Sequence, residues 1–117
     1  MFDFEKLEVY SKAKRFNKSV TIFLASSKVD KTTKDQLRRA SFSILLNIAE
    51  GSGRFTKPDK RNFYIIARGS AFECVAIFDY LKDMDSIDES VFRQYYTYLE
   101  EISKMLFALI KGLSKQI

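Results

Sequence analysis

Apolar residues recur at steps of three and four along most of this chain, and those steps predict four helices. The densest pattern lies in Gln36 to Arg54. Leu37, Ala40, Ile44 and Ile48 form one stripe there, and Phe42, Leu45, Leu46 and Ala49 form a second. A helix apolar on most of its circumference is expected to be covered on most sides. Between the stripes, Arg39, Ser43, Asn47 and Glu50 stack on one narrow face. Polar groups taken out of water need hydrogen-bond partners, so this seam predicts a matching one on a neighbouring element. Gly51 and Gly53 predict a helix stop and a tight reversal, through the backbone freedom of glycine.

The other helices follow from the same periodicity. The first is predicted over Phe4 to Leu24, with Leu7, Tyr10, Ala13, Phe16, Val20 and Phe23 on its inner face. Asp3, Glu5 and Glu8 suit its opening turns, where the helix dipole favours anions. Thr33 and Gln36 have capping-box spacing, which makes Thr33 the expected N-cap of a second helix ending near Glu50. A turn over Gly51 to Lys57 leads to Pro58, which suits the first turn of a third helix reaching about Lys82. Phe63, Ile66, Ser70, Cys74, Ile77, Leu81 and Met84 form its expected seam, close to a heptad pattern. Gly69, among Ala67, Ser70 and Ala71, predicts close approach of a neighbouring backbone. Ser86 and Glu89 repeat the capping-box spacing before a fourth helix that runs to the C-terminus. Its stripe of Phe92, Tyr95, Leu99, Ile102, Leu106, Leu109 and Leu113 is unbroken. Short connections make successive helices antiparallel neighbours. The fold expected is therefore all-α, an antiparallel up-down-up-down four-helix bundle forming a single domain over residues 1–117.

Composition supports that picture and narrows the chemistry. With 117 residues and 46% hydrophobic content, the chain can bury one real core. No apolar run approaches the ~18 residues of a membrane span. The N-terminus is charged early and lacks the apolar stretch of a secretory signal. One cysteine, Cys74, gives no disulfide framework and fits a reducing cytoplasm; its core position marks it as a buried thiol. The chain has no histidine, which removes the commonest general base and metal ligand, so no cofactor or metal is expected. Gly51-x-Gly53 lacks the Lys-Ser/Thr of a phosphate loop.

Glu50 and Glu73 are the carboxylates that invite a catalytic reading, as a hydrolase with a bound metal. Cationic company favours a structural one: Arg39 is expected to pair with Glu73, and Glu50 with Arg54 or Arg68, setting register between helices two and three. A non-enzymatic protein is the expectation. Net charge is +5 and uneven, with 15 basic and 7 acidic residues up to Arg68, and 5 basic and 8 acidic after it. The end of the bundle bearing the second turn collects Arg54, Lys57, Lys60, Arg61, Lys111 and Lys115, diluted by Asp59. With Phe55 available for stacking, Arg54, Lys57, Lys60 and Arg61 are the candidate contacts for weak, sequence-tolerant binding of RNA or DNA. The competing expectation is a protein-interaction scaffold that binds no nucleic acid. The apolar circumference of helix two, with Tyr64, Phe72, Tyr96 and Tyr98 expected on outer faces, predicts an assembly larger than a monomer.

Arg38-Arg39-Ala40, Ser43-Ile44, Asn47-Ile48-Ala49-Glu50-Gly51 and Gly53-Arg54 together resemble the signature of a four-helix-bundle family. That family was first described from intervening sequences in bacterial 23S ribosomal RNA genes. The likeness continues in Phe63, in Ile66-Ala67-Arg68-Gly69-Ser70-Ala71 and Glu73, and upstream in Leu7-x-Val9-Tyr10-x-x-Ala13. Tyr10 stands where the family more often has Trp. Ser26-Ser27 and Thr32-Thr33 replace its usual Pro and Gly-Leu, so the first connection is expected to differ in shape. The resemblance covers nearly the whole chain. It implies the bundle and a ring-shaped homo-oligomer, a pentamer, but no defined activity. A related group of pentameric bundles assists reverse transcriptases, which by analogy favours a nucleic-acid or ribonucleoprotein accessory.

Overall fold

The computed structural model describes residues 1–114. After a 3-10 turn at Asp3–Lys6 come four α-helices: α1 (Glu8–Ser26), α2 (Lys31–Ser52), α3 (Lys57–Asp83) and α4 (Glu89–Ser114). Each helix packs on the next, and α1 closes against α4, giving the antiparallel four-helix bundle that the periodicity predicted. No strand occurs among the described residues, and none of their helices is long and apolar enough to cross a membrane. The body measures 45 × 25 × 21 Å, its long axis set by α3 and α4.

The helix starts differ from expectation for local reasons. Leu7 adopts an extended conformation (φ −83°, ψ 124°), so α1 begins at Glu8 and the segment before it folds back. That break lets the Phe4 ring reach Tyr10, at 4.7 Å between centroids. Asp30, not Thr33, caps α2. Its carboxylate accepts the Thr33 N–H at 3.0 Å and the Thr33 hydroxyl at 2.7 Å, and an anion there also meets the helix dipole. Thr56 caps α3 through the Asp59 N–H at 3.2 Å, with Pro58 in the first turn as expected. At the end of α3, Asp85 takes a left-handed conformation (φ 55°), and the Ser86 N–H bonds back to the Leu81 carbonyl at 2.9 Å. Asp88, not Ser86, caps α4, accepting the Val91 N–H at 2.8 Å.

The core is continuous through all four helices. The α4 stripe lies where predicted, with Phe92, Tyr95, Leu99, Ile102 and Leu106 buried. On α2 the first stripe and Leu45 are buried, while Phe42 and Leu46 face outward. Helix α3 is rotated from its expected phase. Tyr64, Ala67, Ala71, Cys74, Phe78 and Leu81 enter the core, and Ile66 and Met84 are exposed. Apolar residues lie on both flanks of α3, so periodicity alone does not choose between them. The small Ala67 and Ala71 choose, because they let α3 sit close to its neighbours. Tyr64, expected outward, is therefore inside.

Two glycines also act differently from expectation. None has positive φ. Gly51 lies within α2, where an added Cβ would stand 2.8 Å from the Phe63 Cβ and 3.1 Å from the Tyr64 ring. Its role is close approach of α2 to α3. Gly53 caps α2 in a right-handed conformation (φ −89°). At Gly69 a Cβ would meet nothing within 4 Å, so no neighbour among the described residues uses that space.

Candidate nucleic-acid interface

The turn between α2 and α3 stands at one end of the bundle, beside the start of α1 and the end of α4. Burial of Gly51 and Ser52 fixes its base, and Phe55 at its tip is fully exposed, at 101% of its reference area. The four candidate cations surround it unequally. Arg54 pairs with Glu50 at 2.9 Å, one helical turn back, and its guanidinium lies 4.5 Å from the Phe63 ring centroid. Lys60 donates to the Ser52 carbonyl at 2.7 Å, satisfying one of the last carbonyls of α2. Arg61 donates through Nε to the Ser114 hydroxyl, tying α3 to the end of α4. Lys57 is exposed at the first position of α3 and has no ion pair among the described residues. Lys111 is exposed in the last turn of α4, while Lys115 lies outside the described residues. Beside the turn, a cleft of about 520 Å³ is lined by Phe2, Phe4, Gly53 and Phe55, with Asp3, Glu50 and Asp59 also contributing. Carboxylates therefore offset part of the basic end.

The polar seam of α2 finds its partner in one place. Ser43 and Ser70 share a hydrogen bond of 2.8 Å across the α2–α3 contact, and the Asn47 side-chain amide donates to the Ser43 carbonyl and hydroxyl at 2.8 and 3.0 Å. The other expected pairings divide. Glu50 meets Arg54, but no ion pair joins Arg39 to Glu73, and both are exposed. Arg68 turns away from α2 toward α4, where its Nε donates to the Ser103 carbonyl at 3.3 Å. Its guanidinium lies over Phe72 and Phe107, at 4.7 and 5.4 Å.

Periodicity did not single out two further polar links. The Asn17 amide donates to Ser41 at 2.8 Å, joining α1 to α2, and Ser19 and Tyr95 share a 2.9 Å hydrogen bond between α1 and α4. The signal available was polar residues on otherwise inward arcs. Lys12 also pairs with Glu101 and lies 4.8 Å from the Tyr98 ring.

Burial acts on two ionisable groups inside, Cys74 and Tyr64. Burial pushes the Cys74 thiol far above its ordinary range, with Glu73 adding to the shift, so it is not poised as a thiolate nucleophile. Burial likewise raises Tyr64, with Asp3 contributing. The Ser43–Ser70 bond fixes the register of Glu50 and Glu73. Glu50 lies seven residues beyond Ser43 down α2, and Glu73 three beyond Ser70 up the antiparallel α3. At 1.5 Å per residue, the two carboxylates are separated by roughly 15 Å along the bundle.

Fold and seam thus define a small helical bundle with a basic, aromatic-tipped end. The family model of the 23S rRNA-intervening sequence protein matches residues 5–108, and the chain belongs to that family. The fold is similar to that of a crystal structure from Bacteroides thetaiotaomicron, a protein of unknown function from the S23 ribosomal protein family. The TM-score is 0.85 at 23% sequence identity, covering 88% of this chain and 98% of that one. No curated protein matches the chain.

Proposed function

We propose that this protein is a non-catalytic, self-assembling bundle of the cytoplasm that holds RNA or DNA weakly and without sequence preference at its α2–α3 end. The observation that carries the reading is Phe55, an aromatic ring wholly in water at the tip of a turn, next to Arg54 and close to Lys57. A ring so exposed adds nothing to its own core. Stacked on a base it is worth about 1–3 kcal/mol, whatever the base. The adjacent cations attract phosphates. Resemblance within the family supports a ring of copies, a pentamer, and several such ends around one axis would add their fields. The outward Phe42 and Leu46, one turn apart on α2, and Phe72 on α3 support assembly, since exposed apolar surface marks interfaces. The roughly 15 Å between Glu50 and Glu73 along the bundle supports the non-catalytic reading, because it separates the only carboxylates offered for a joint metal.

A second reading, a scaffold that binds other proteins and no nucleic acid, is favoured by a specific observation. Arg54, Lys60 and Arg61 are each engaged within the chain. A titration of labelled RNA at low salt separates the two. Phe55→Ala should weaken binding by roughly 5-fold or more. Replacing Arg54, Lys57, Lys60 and Arg61 with Gln should weaken it further and flatten its salt dependence. Affinity unchanged by both variants, or none measurable for the wild type, returns the protein to the scaffold class.

A further inference from the structure

On a lateral face, α3 and α4 enclose a groove of about 640 Å³, walled by aromatic rings including Phe72, Tyr96 and Phe107. Along α3 one row of its lining reads cation, apolar, apolar, anion: Arg68, Phe72, Ala76, Asp79, with Val75 beside Ala76. Arg68 is held in place by the Ser103 carbonyl and two rings, and no carboxylate among the described residues pairs with it. Lys104 lines the groove from α4 and adds to its positive charge, and Glu100 lines it from the same helix. Among the described residues Asp79 has only a 3.9 Å contact with Lys82. A separate face of the bundle carries the complement. The outward ridge of α2 also reads cation, apolar, apolar, anion: Arg39, Phe42, Leu46, Glu50. Phe42 and Leu46 are 48% and 49% exposed. Arg39 has no ion pair among the described residues, and Glu50 has only its exposed contact with Arg54, a kind worth little.

The two patterns match in length and in sign. Arg39 to Glu50 is eleven residues, and so is Arg68 to Asp79. Each span is therefore roughly 16 Å on an α-helix. Set antiparallel, Glu50 meets Arg68, Leu46 meets Phe72, Phe42 meets the small Ala76, and Arg39 meets Asp79, with no slip along the series. Copies pointing the same way have this polarity, because a neighbour's α2 then runs antiparallel to α3.

We infer that the α2 ridge of one copy seats in the α3–α4 groove of the next, head to tail. The inference rests on the assembly part of the function proposed above and names its interface. Each copy has one ridge and one groove, so the contact is heterologous and adds copies head to tail, with a ring as the product where the rotation between copies closes. The partner is a second copy of this chain, selected by opposite charges at both ends of an apolar strip.

Heterologous pairing makes a prediction that a symmetric contact does not. Leu46→Asp destroys the ridge and leaves the groove, while Ala76→Arg fills the groove and leaves the ridge. Both positions are exposed, so circular dichroism should show the wild-type helix content. By light scattering each variant alone should run at the 13.6 kDa protomer mass, and an equimolar mixture at twice that mass. As a second measurement, Arg39→Glu should lower the wild-type assembly mass, and adding Asp79→Arg in the same chain should restore it. The interface is overturned if either disrupted variant keeps the wild-type mass, if the mixture stays at protomer mass, or if the charge swap restores nothing. A wild-type protein that itself runs at 13.6 kDa overturns the assembly reading, and this inference with it.

Discussion

The α2–α3 and α1–α4 contacts close the same bundle by opposite means. Between α2 and α3 the chain removes volume. Gly51 admits Phe63 and Tyr64, Ser43 bonds Ser70 at 2.8 Å, and Ala67 and Ala71 keep the α3 surface low. Between α1 and α4 the chain adds volume. Phe16 lies 5.9 Å from both Tyr95 and Tyr98, Phe23 lies 6.0 Å from Tyr95, and Phe78 of α3 stacks on Tyr95 at 4.5 Å. Close packing thus sets the α2–α3 distance, and aromatic filling holds α1 to the rest. The practical consequence is local. The tight contact runs down to the turn that carries Phe55, so the candidate interface stands on the more closely packed side of the molecule.

The largest expected effect breaks the filled side. Phe78→Ala removes a fully buried ring from an aromatic cluster and should cost about 3–5 kcal/mol in chemical denaturation. Next comes the tight side. Gly51→Ala places a methyl against the Phe63 Cβ, an atom that retreats only if α3 moves, and should cost about 1–3 kcal/mol. Gly69→Ala is the control with the opposite sign, since its Cβ enters open space and the helix gains up to about 1 kcal/mol. Tyr95→Phe keeps the ring and deletes the hydrogen bond to Ser19, for a loss of about 1 kcal/mol. The smallest effect is at the start of α2. Hydrogen bonds from the Thr33 hydroxyl and N–H hold the Asp30 carboxyl below its ordinary range. Its folded pKa is depressed, so its contribution is complete above the unfolded value and is lost as pH falls through the folded one. Asp30→Asn should therefore lower the melting temperature slightly at neutral pH and converge on the wild type in acid, so that the acid decline flattens.

How much of this was legible in the sequence depended on whether a residue had one use or two. Helix α4 has a single apolar stripe, and its buried set followed from spacing. Helix α3 is apolar on two flanks, and only its packing against Ala67 and Ala71 decided that Tyr64 goes in and Ile66 out. Gly51 sits near a helix end, where backbone freedom and close approach leave the same mark on a sequence. The polar seam of α2 was readable as needing a partner, but its partner is the Ser70 hydroxyl rather than Glu73. The cations of the α2–α3 end were visible. What hid was that Lys60 and Arg61 also serve as tethers, to the Ser52 carbonyl and the Ser114 hydroxyl, because those contacts depend on how three helix ends meet.

The proposal that assembled copies hold nucleic acid at a common basic end is tested most directly by the salt dependence of binding to single-stranded RNA. One protomer offers Arg54, Lys57, Lys60 and Arg61, and four phosphate contacts on a single strand give a slope of log affinity against log salt of about −3. The account predicts measurable binding at low salt with a slope steeper than that, because more than one protomer contributes. A shallower slope, or no binding at low salt, would contradict it.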